Sequence, residues 1–159
     1  MSDCTFCKIV ADRSENNVTV YEDDYVIGLI SLHQKAENLG HVLLLPKAHI
    51  ENLYELPAVL ELPMMSALRL LTHATKKAFS SNGVQIRQNN EAAAGQDVFH
   101  LHFHIIPRFK GDAFDDQPYN KLPIDIRKSL ALQLREVVSH EAELQMEQMT
   151  KDNKQSGCS

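Results

Sequence analysis

The sequence predicts an α+β domain built as an antiparallel meander. Three observations carry that expectation. Apolar, partly β-branched runs at residues 26–32, 41–45 and 98–106 have strand length. A stretch opened by Pro63 repeats apolar residues at the i, i+3, i+4 spacing of an amphipathic helix. The order of elements, strands, helix, strands, helix, lacks the regular alternation of a doubly wound parallel sheet. The chain has 159 residues, of which 43% are hydrophobic, enough to close one core. Residues 1–150 therefore read as a single domain, and 151–159 as a polar, disordered-looking tail.

In chain order, VTVY alternates like a short strand and stops at the acidic turn EDD. The runs 26–32 and 41–45 follow as adjacent strands, joined by the loop HQKAENLG with Gly40 as its turn residue and closed by Pro46. In the helix, Met64, Ala67, Leu68, Leu71, Ala74, Thr75 and Ala78 share a face, and a Leu/Met face on 64–79 could meet either the core or a second copy. SSNG ends it, with Gly83 as the expected left-handed cap, and VQIRQ alternates as a strand. NNEAAAGQD reads as a Gly-containing loop, and 98–106 as the strongest strand, ended by Pro107. Residues 124–149 then have helical spacing, with Arg127, Lys128, Arg135, Glu136 and Glu141 expected on a solvated face.

Composition excludes some functions. A net charge of −5 leaves no basic surplus to release counterions from a nucleic acid, so an anionic ligand needs a local cluster of donors. The charged N-terminus gives no signal-peptide h-region, and no run is long enough to span a membrane. The chain thus reads as cytoplasmic, without nucleic-acid or membrane partners. Three cysteines, Cys4, Cys7 and Cys158, suit a reducing compartment and metal binding better than a disulfide framework, with Cys158 a bystander in the tail.

Histidine carries the chemistry. His100, His102 and His104 stand at alternate positions of HLHFHII, so on a strand their rings share one face while Leu101, Phe103 and Ile105 turn to the core. Three clustered imidazoles are costly to charge together, so most stay neutral and available as nucleophile, acceptor or ligand.

The strings HLHFHIIPR, NNEAAAGQDVF, GHVLLLPKAHI and CTFCKIV, in this order over residues 4–108, resemble the histidine triad (HIT) family in its Hint-like branch. The resemblance implies a five-stranded antiparallel sheet with a long central helix and a C-terminal helix, a homodimer, and hydrolysis or transfer of purine nucleoside monophosphates through a nucleotidylated histidine. It assigns the nucleophile to His102 and phosphate or leaving-group contacts to His104 and His41. Asn90 and Gln96 match phosphate-contacting amides, and the backbone around Gly95, Asp97 and Val98 adds donors. Members with CxxC bind zinc through positions matching Cys4, Cys7, His49 and His100, so a structural zinc and no organic cofactor are expected, with His100 a ligand. From spacing alone the histidines are too distant from the CxxC to establish that set. One position departs: where the family usually has an Asp for the ribose hydroxyls, this chain has His33, with Glu37 a candidate substitute. The leading activity is a phosphoramidase-type hydrolysis. Cleavage of diadenosine polyphosphates is a second enzymatic reading, and a non-catalytic, zinc-containing nucleotide-binding or regulatory protein is a reading of another class.

Overall fold

The structure is a computed structural model that describes residues 3–12 and 16–156. Its centre is a five-stranded, wholly antiparallel sheet of β1 (Thr19–Glu22), β2 (Val26–Ile30), β4 (Val42–Pro46), β5 (Gly83–Arg87) and β6 (Phe103–Arg108), in the order β1-β2-β4-β6-β5. A small second ladder pairs β3 (His33–Gln34) with β7 (Asn120–Lys121). Among the described residues three α-helices accompany the sheets: α1 (Thr5–Asp12), α2 (Ala58–Ala78) and α3 (Ile124–Ser156).

Both faces of the sheet are covered, which explains why β2 and β4 are apolar throughout rather than alternating. Val26, Ile30, Val42, Leu44 and Ile105 point into the larger core with Met64, Leu68, Leu71 and Ala74 of α2 and Ala131, Leu134 and Val138 of α3. Ile27, Leu29, Leu43 and Leu45 point the other way, onto Phe6 and Ile9 of α1. Each such side chain, removed fully from water, contributes about 1.5–3 kcal/mol before conformational entropy is charged against it. Helix α2 lies so close to β2 that a Cβ at Gly28 would stand 2.9 Å from Leu71 Cδ1.

Several boundaries differ from the sequence reading. Helix α2 begins at Ala58 with Pro57 as its N-cap, so Pro63 lies inside the helix as its sixth residue, where the missing N–H leaves the Val59 carbonyl without its i→i−4 donor. Ser80, at φ 50°, takes the left-handed position after α2, while Gly83 is already in β5. Strand β6 starts only at Phe103 and continues through Pro107, which is tolerated because the β4 ladder ends at Ile105. Residues 98–102 are irregular, since this stretch carries His100 away from the sheet toward α1; Leu101 N–H bonds Ile50 O at 2.6 Å instead of a strand neighbour. Helix α3 extends past Met149 through Ser156, and Cys158 lies outside the described residues.

The solvated face expected on α3 holds for Lys128 and Glu136, which are exposed, and fails for two of the other residues. Arg127 is 3% exposed and donates from Nε and Nη2 to Ile30 O, and Glu141 is buried against Lys77 at 2.5 Å. Charge in the sequence marked these residues as wet, but the length of an arginine lets it reach a β-strand carbonyl from a buried helix face.

Candidate active site

The histidines lie on the α1 side of the sheet. Strand register sets His104 opposite Leu43 of β4 and Arg87 of β5, and His41 precedes β4 directly. His41 is fixed by the turn before it. Gly40 has φ +101°, and a Cβ there would strike the Phe79 ring at 2.3 Å, so both backbone and space demand glycine. Gln34 braces the same turn, its Oε1 accepting from Gly40 N at 2.8 Å and its Nε2 donating to Ser31 O at 3.0 Å.

The rings form a row. His102 and His104 have centroids 4.9 Å apart, and His104 and His41 5.1 Å. His41 Nε2 and His104 Nδ1 are 3.0 Å apart, so the N–H of one ring faces the bare nitrogen of the other. Burial is the main reason that both resist protonation, followed for each by a neighbouring histidine: His41 falls to about 3 and His104 to about 4. Both are neutral imidazoles near pH 7. His102 Nδ1 lies 2.7 Å from His100 O, and a carbonyl can only accept, so Nδ1 carries the proton and Nε2 keeps its lone pair. The cleft beside these rings has a volume of about 420 Å³ and is walled by Phe6 and Ile9 of α1 and by Leu29 and Leu43 of the sheet. A bare imidazole nitrogen beside a neutral histidine pair, which shares one ring N–H internally and keeps the other, suits nucleophilic attack on a phosphorus centre in a half-dry cleft.

The other predicted residues divide. His33, Asp97 and Val98 line the cleft with the three histidines. Asn90 and Gln96 do not. Asn90 Oδ1 accepts from Leu53 N–H at 2.8 Å, and its amide is paired with Gln88. Gln96 is buried with Oε1 accepting from Glu91 N–H and Nε2 donating to Glu51 O and Val98 O, which makes it a brace of its own loop. Glu37 is held on the far side, where its carboxylate accepts from Ala113 N–H, so it does not substitute at the His33 position. Sequence reasoning missed Phe6, Arg87, Tyr119 and Arg127, all in the cleft wall. Only the alternation of VQIRQ hinted at a side for Arg87; the register that brings it to His104 is a long-range property.

At the N-terminal end of the same string, Cys4, Cys7, His49 and His100 converge with all ligand atoms within 4.8 Å of one another. Cys4 Sγ is 3.5 Å and Cys7 Sγ 3.6 Å from His100 Nδ1, and Cys7 Sγ is 3.3 Å from His49 Nδ1. The cysteines flank the first turn of α1, one helical turn apart. The buried His100 ring sets Nε2 2.9 Å from Pro46 O, which accepts its proton and leaves Nδ1 bare toward the sulfurs. Two thiols, two imidazoles and a carbonyl orienting one ligand ring fit a tetrahedral zinc ion.

The HIT domain family matches residues 13–111. This chain belongs to the HIT family. An uncharacterized HIT-like protein of Borreliella burgdorferi is 36% identical over 137 residues, covering 85% of this chain and 96% of that protein. The adenylylsulfatase HINT3 of Arabidopsis thaliana is 39% identical over 111 residues, 70% of this chain and 55% of that longer protein. Among solved structures, a zinc-bound histidine triad family protein from Mycobacterium smegmatis superposes with a TM-score of 0.76 at 26% identity, over 89% of this chain and 97% of its own. The HIT family is one of nucleotide-binding hydrolases and transferases, so the chain is a HIT-fold member of that class. No described helix is long and apolar enough to cross a membrane.

Proposed function

We propose that the protein is a hydrolase or transferase that cleaves purine nucleoside monophosphates, AMP-like, from an amine or other leaving group through a nucleotidylated His102. The observation that carries this reading is the 2.7 Å contact of His102 Nδ1 with His100 O, which leaves Nε2 bare beside the cleft. Nε2 attacks the α-phosphorus, the N–P bond forms as the bond to the leaving group breaks, and the one ring N–H that the His41–His104 pair does not share internally donates to an oxygen that gains charge. Water then attacks the phosphorus from the vacated side and frees the ring. Phosphorus is inverted twice, so its configuration is retained.

Asp97, Val98 and His33 line the nucleotide's part of the cleft. Cys4, Cys7, His49 and His100 would hold zinc, and with four protein ligands such an ion supplies folding energy and no open coordination position. A cytoplasmic setting is supported by the two free, adjacent thiols, and a homodimer by the exposed Val59, Leu62 and Met65 on α2. The core face of α2 that could have served either purpose, Met64 to Ala74, is consumed inside the chain.

Incubation with an adenosine 5′-phosphoramidate should release AMP. Quenching in alkaline denaturant during turnover, where a P–N bond survives, should leave a nucleotidyl group on the peptide that contains His102. Release of AMP with no label on that peptide, from an enzyme in which His102→Ala is equally active, would sink the reading.

A further inference from the structure

The chemistry above leaves Arg87 and Tyr119 without a role. Arg87 ends β5 directly across from His104, and Tyr119 reaches the cleft from the segment between β6 and α3. That segment is pinned. Asp112 holds Arg108 through two bonds of 2.7 and 2.9 Å and also accepts from Asn38, while the Lys35 ammonium donates to Phe114 O and lies 4.0 Å over the Phe114 ring. Tyr119 therefore has a defined place, 6.3 Å from His41 ring to ring, and its hydroxyl accepts from Arg87 Nη2 at 3.2 Å. Among the described residues no carboxylate pairs with Arg87, and its Nε is buried with no hydrogen-bond partner. A guanidinium keeps its proton, so this is a fixed and uncompensated positive charge.

Its position along the row of rings is directional. From Phe6 the rings follow as His102, His104, His41 and Tyr119, so the nucleophile stands near one end and the phenol with its guanidinium at the other. In an in-line displacement the leaving group departs on the side away from the attacking nitrogen, past the two flanking histidines and toward Arg87. Resting on the reading of His102 as nucleophile, we propose that Arg87, held by Tyr119, is a specificity-determining residue that binds an anionic leaving group. What this contact adds is a sorting of leaving groups within one cleft, a departing oxyanion being held where a departing amine is not.

The step balances without a further reactant. The N–P bond forms from the Nε2 lone pair as the bridging P–O bond breaks, and the oxyanion departs with that electron pair and no proton. Water next attacks phosphorus, the N–P pair returns to Nε2, and one water proton goes to solvent. A departing amine fits less well, because it ends as an ammonium beside a guanidinium. The two buried rings, bonded to each other and neutral near pH 7, offer a single N–H between them and bring no positive charge of their own.

The test is the ratio of kcat/KM for adenosine 5′-phosphosulfate over adenosine 5′-phosphoramidate. The native enzyme should favour the phosphosulfate. Arg87→Gln should collapse the ratio by roughly 10- to 100-fold, the effect of one charge-assisted contact, and Arg87→Lys should restore part of it. Tyr119→Phe removes the hydroxyl that orients Arg87 and should move the ratio the same way by less; it carries the test should Arg87→Gln fail to fold. An unchanged ratio in the folded variants overturns the proposal for Arg87 while leaving the nucleophile intact. No AMP from either substrate with the native enzyme overturns the His102 reading, and this inference with it.

Discussion

His100 and His102 are two residues apart in one string, and each ring is held by a backbone carbonyl, yet at opposite nitrogens. Pro46 O accepts a hydrogen bond from His100 Nε2–H and so leaves Nδ1 aimed at two sulfurs; His100 O accepts one from His102 Nδ1–H and so leaves Nε2 bare, beside the cleft. On the proposed function one ring serves as metal ligand and the other as nucleophile, and what separates them is which nitrogen a neighbouring carbonyl occupies. The two regions are also mechanically joined, because a residue of the Cys–His cluster supplies the carbonyl that sets the His102 tautomer.

The largest effect that would break this division is His102→Ala. Turnover should fall on the order of 10⁴-fold or more while nucleotide affinity measured by calorimetry changes little, since the flanking contacts persist. Comparable loss of affinity would mean that His102 only binds. Next, Cys4→Ser with Cys7→Ser should cost about 3 kcal/mol and lower Tm by roughly 6–12 °C, with a smaller fall in kcat. Metal analysis of protein purified without added zinc should give one ion per chain in the native protein and none in the variant. A native metal content near zero, with equal Tm values, would remove the structural half of the comparison.

A third expectation concerns pH. His41 and His104 are held below the unfolded value of 6.5, to about 3 and about 4, so between those limits the unfolded chain binds protons that the folded one refuses. Stability should therefore decline as pH falls from about 6.5 toward 3. Asp112, lowered chiefly by its Arg108 bond, adds its loss only below the ordinary carboxylate range. Urea midpoints at pH 7 and 4.5 check the sign, and a higher midpoint at 4.5 would contradict it. The smallest effect belongs to the ribose end. His33→Asp should raise the preference for ribo- over deoxyribonucleotides by about tenfold, because a carboxylate accepts charge-assisted bonds that a neutral imidazole cannot match. No change in that ratio would show that His33 does not face the sugar.

How much of this was legible depended on whether the information is local. Period-two spacing announced the row at residues 100–104, and the direction of Leu101, Phe103 and Ile105 followed correctly, although regular strand begins only at Phe103. The triad string and the CxxC named the family. What the sequence could not carry was partner identity across distance. Which nitrogen of each ring is protonated depends on carbonyls of Pro46 and His100 as folded, and Asn90 and Gln96 are spent on Leu53, Glu51 and Glu91. Arg127 read as solvated because periodicity reports a helix face and not the reach of a side chain. Helix α1 was missed because its eight residues are too few to establish a helical period.

The cluster of Cys4, Cys7, His49 and His100 also orders events in time. Its thiols are made first, and the buried imidazole that completes it follows Cys7 by 93 residues. A metal ion there would close a loop spanning 96 positions from Cys4 to His100, a removable cross-link whose benefit comes from freedom denied to the unfolded chain. During synthesis the open CxxC must be kept reduced until nearly two thirds of the protein has been built. Oxidation in that interval would join the two sulfurs to each other and leave the finished His100 ring with nothing to close upon.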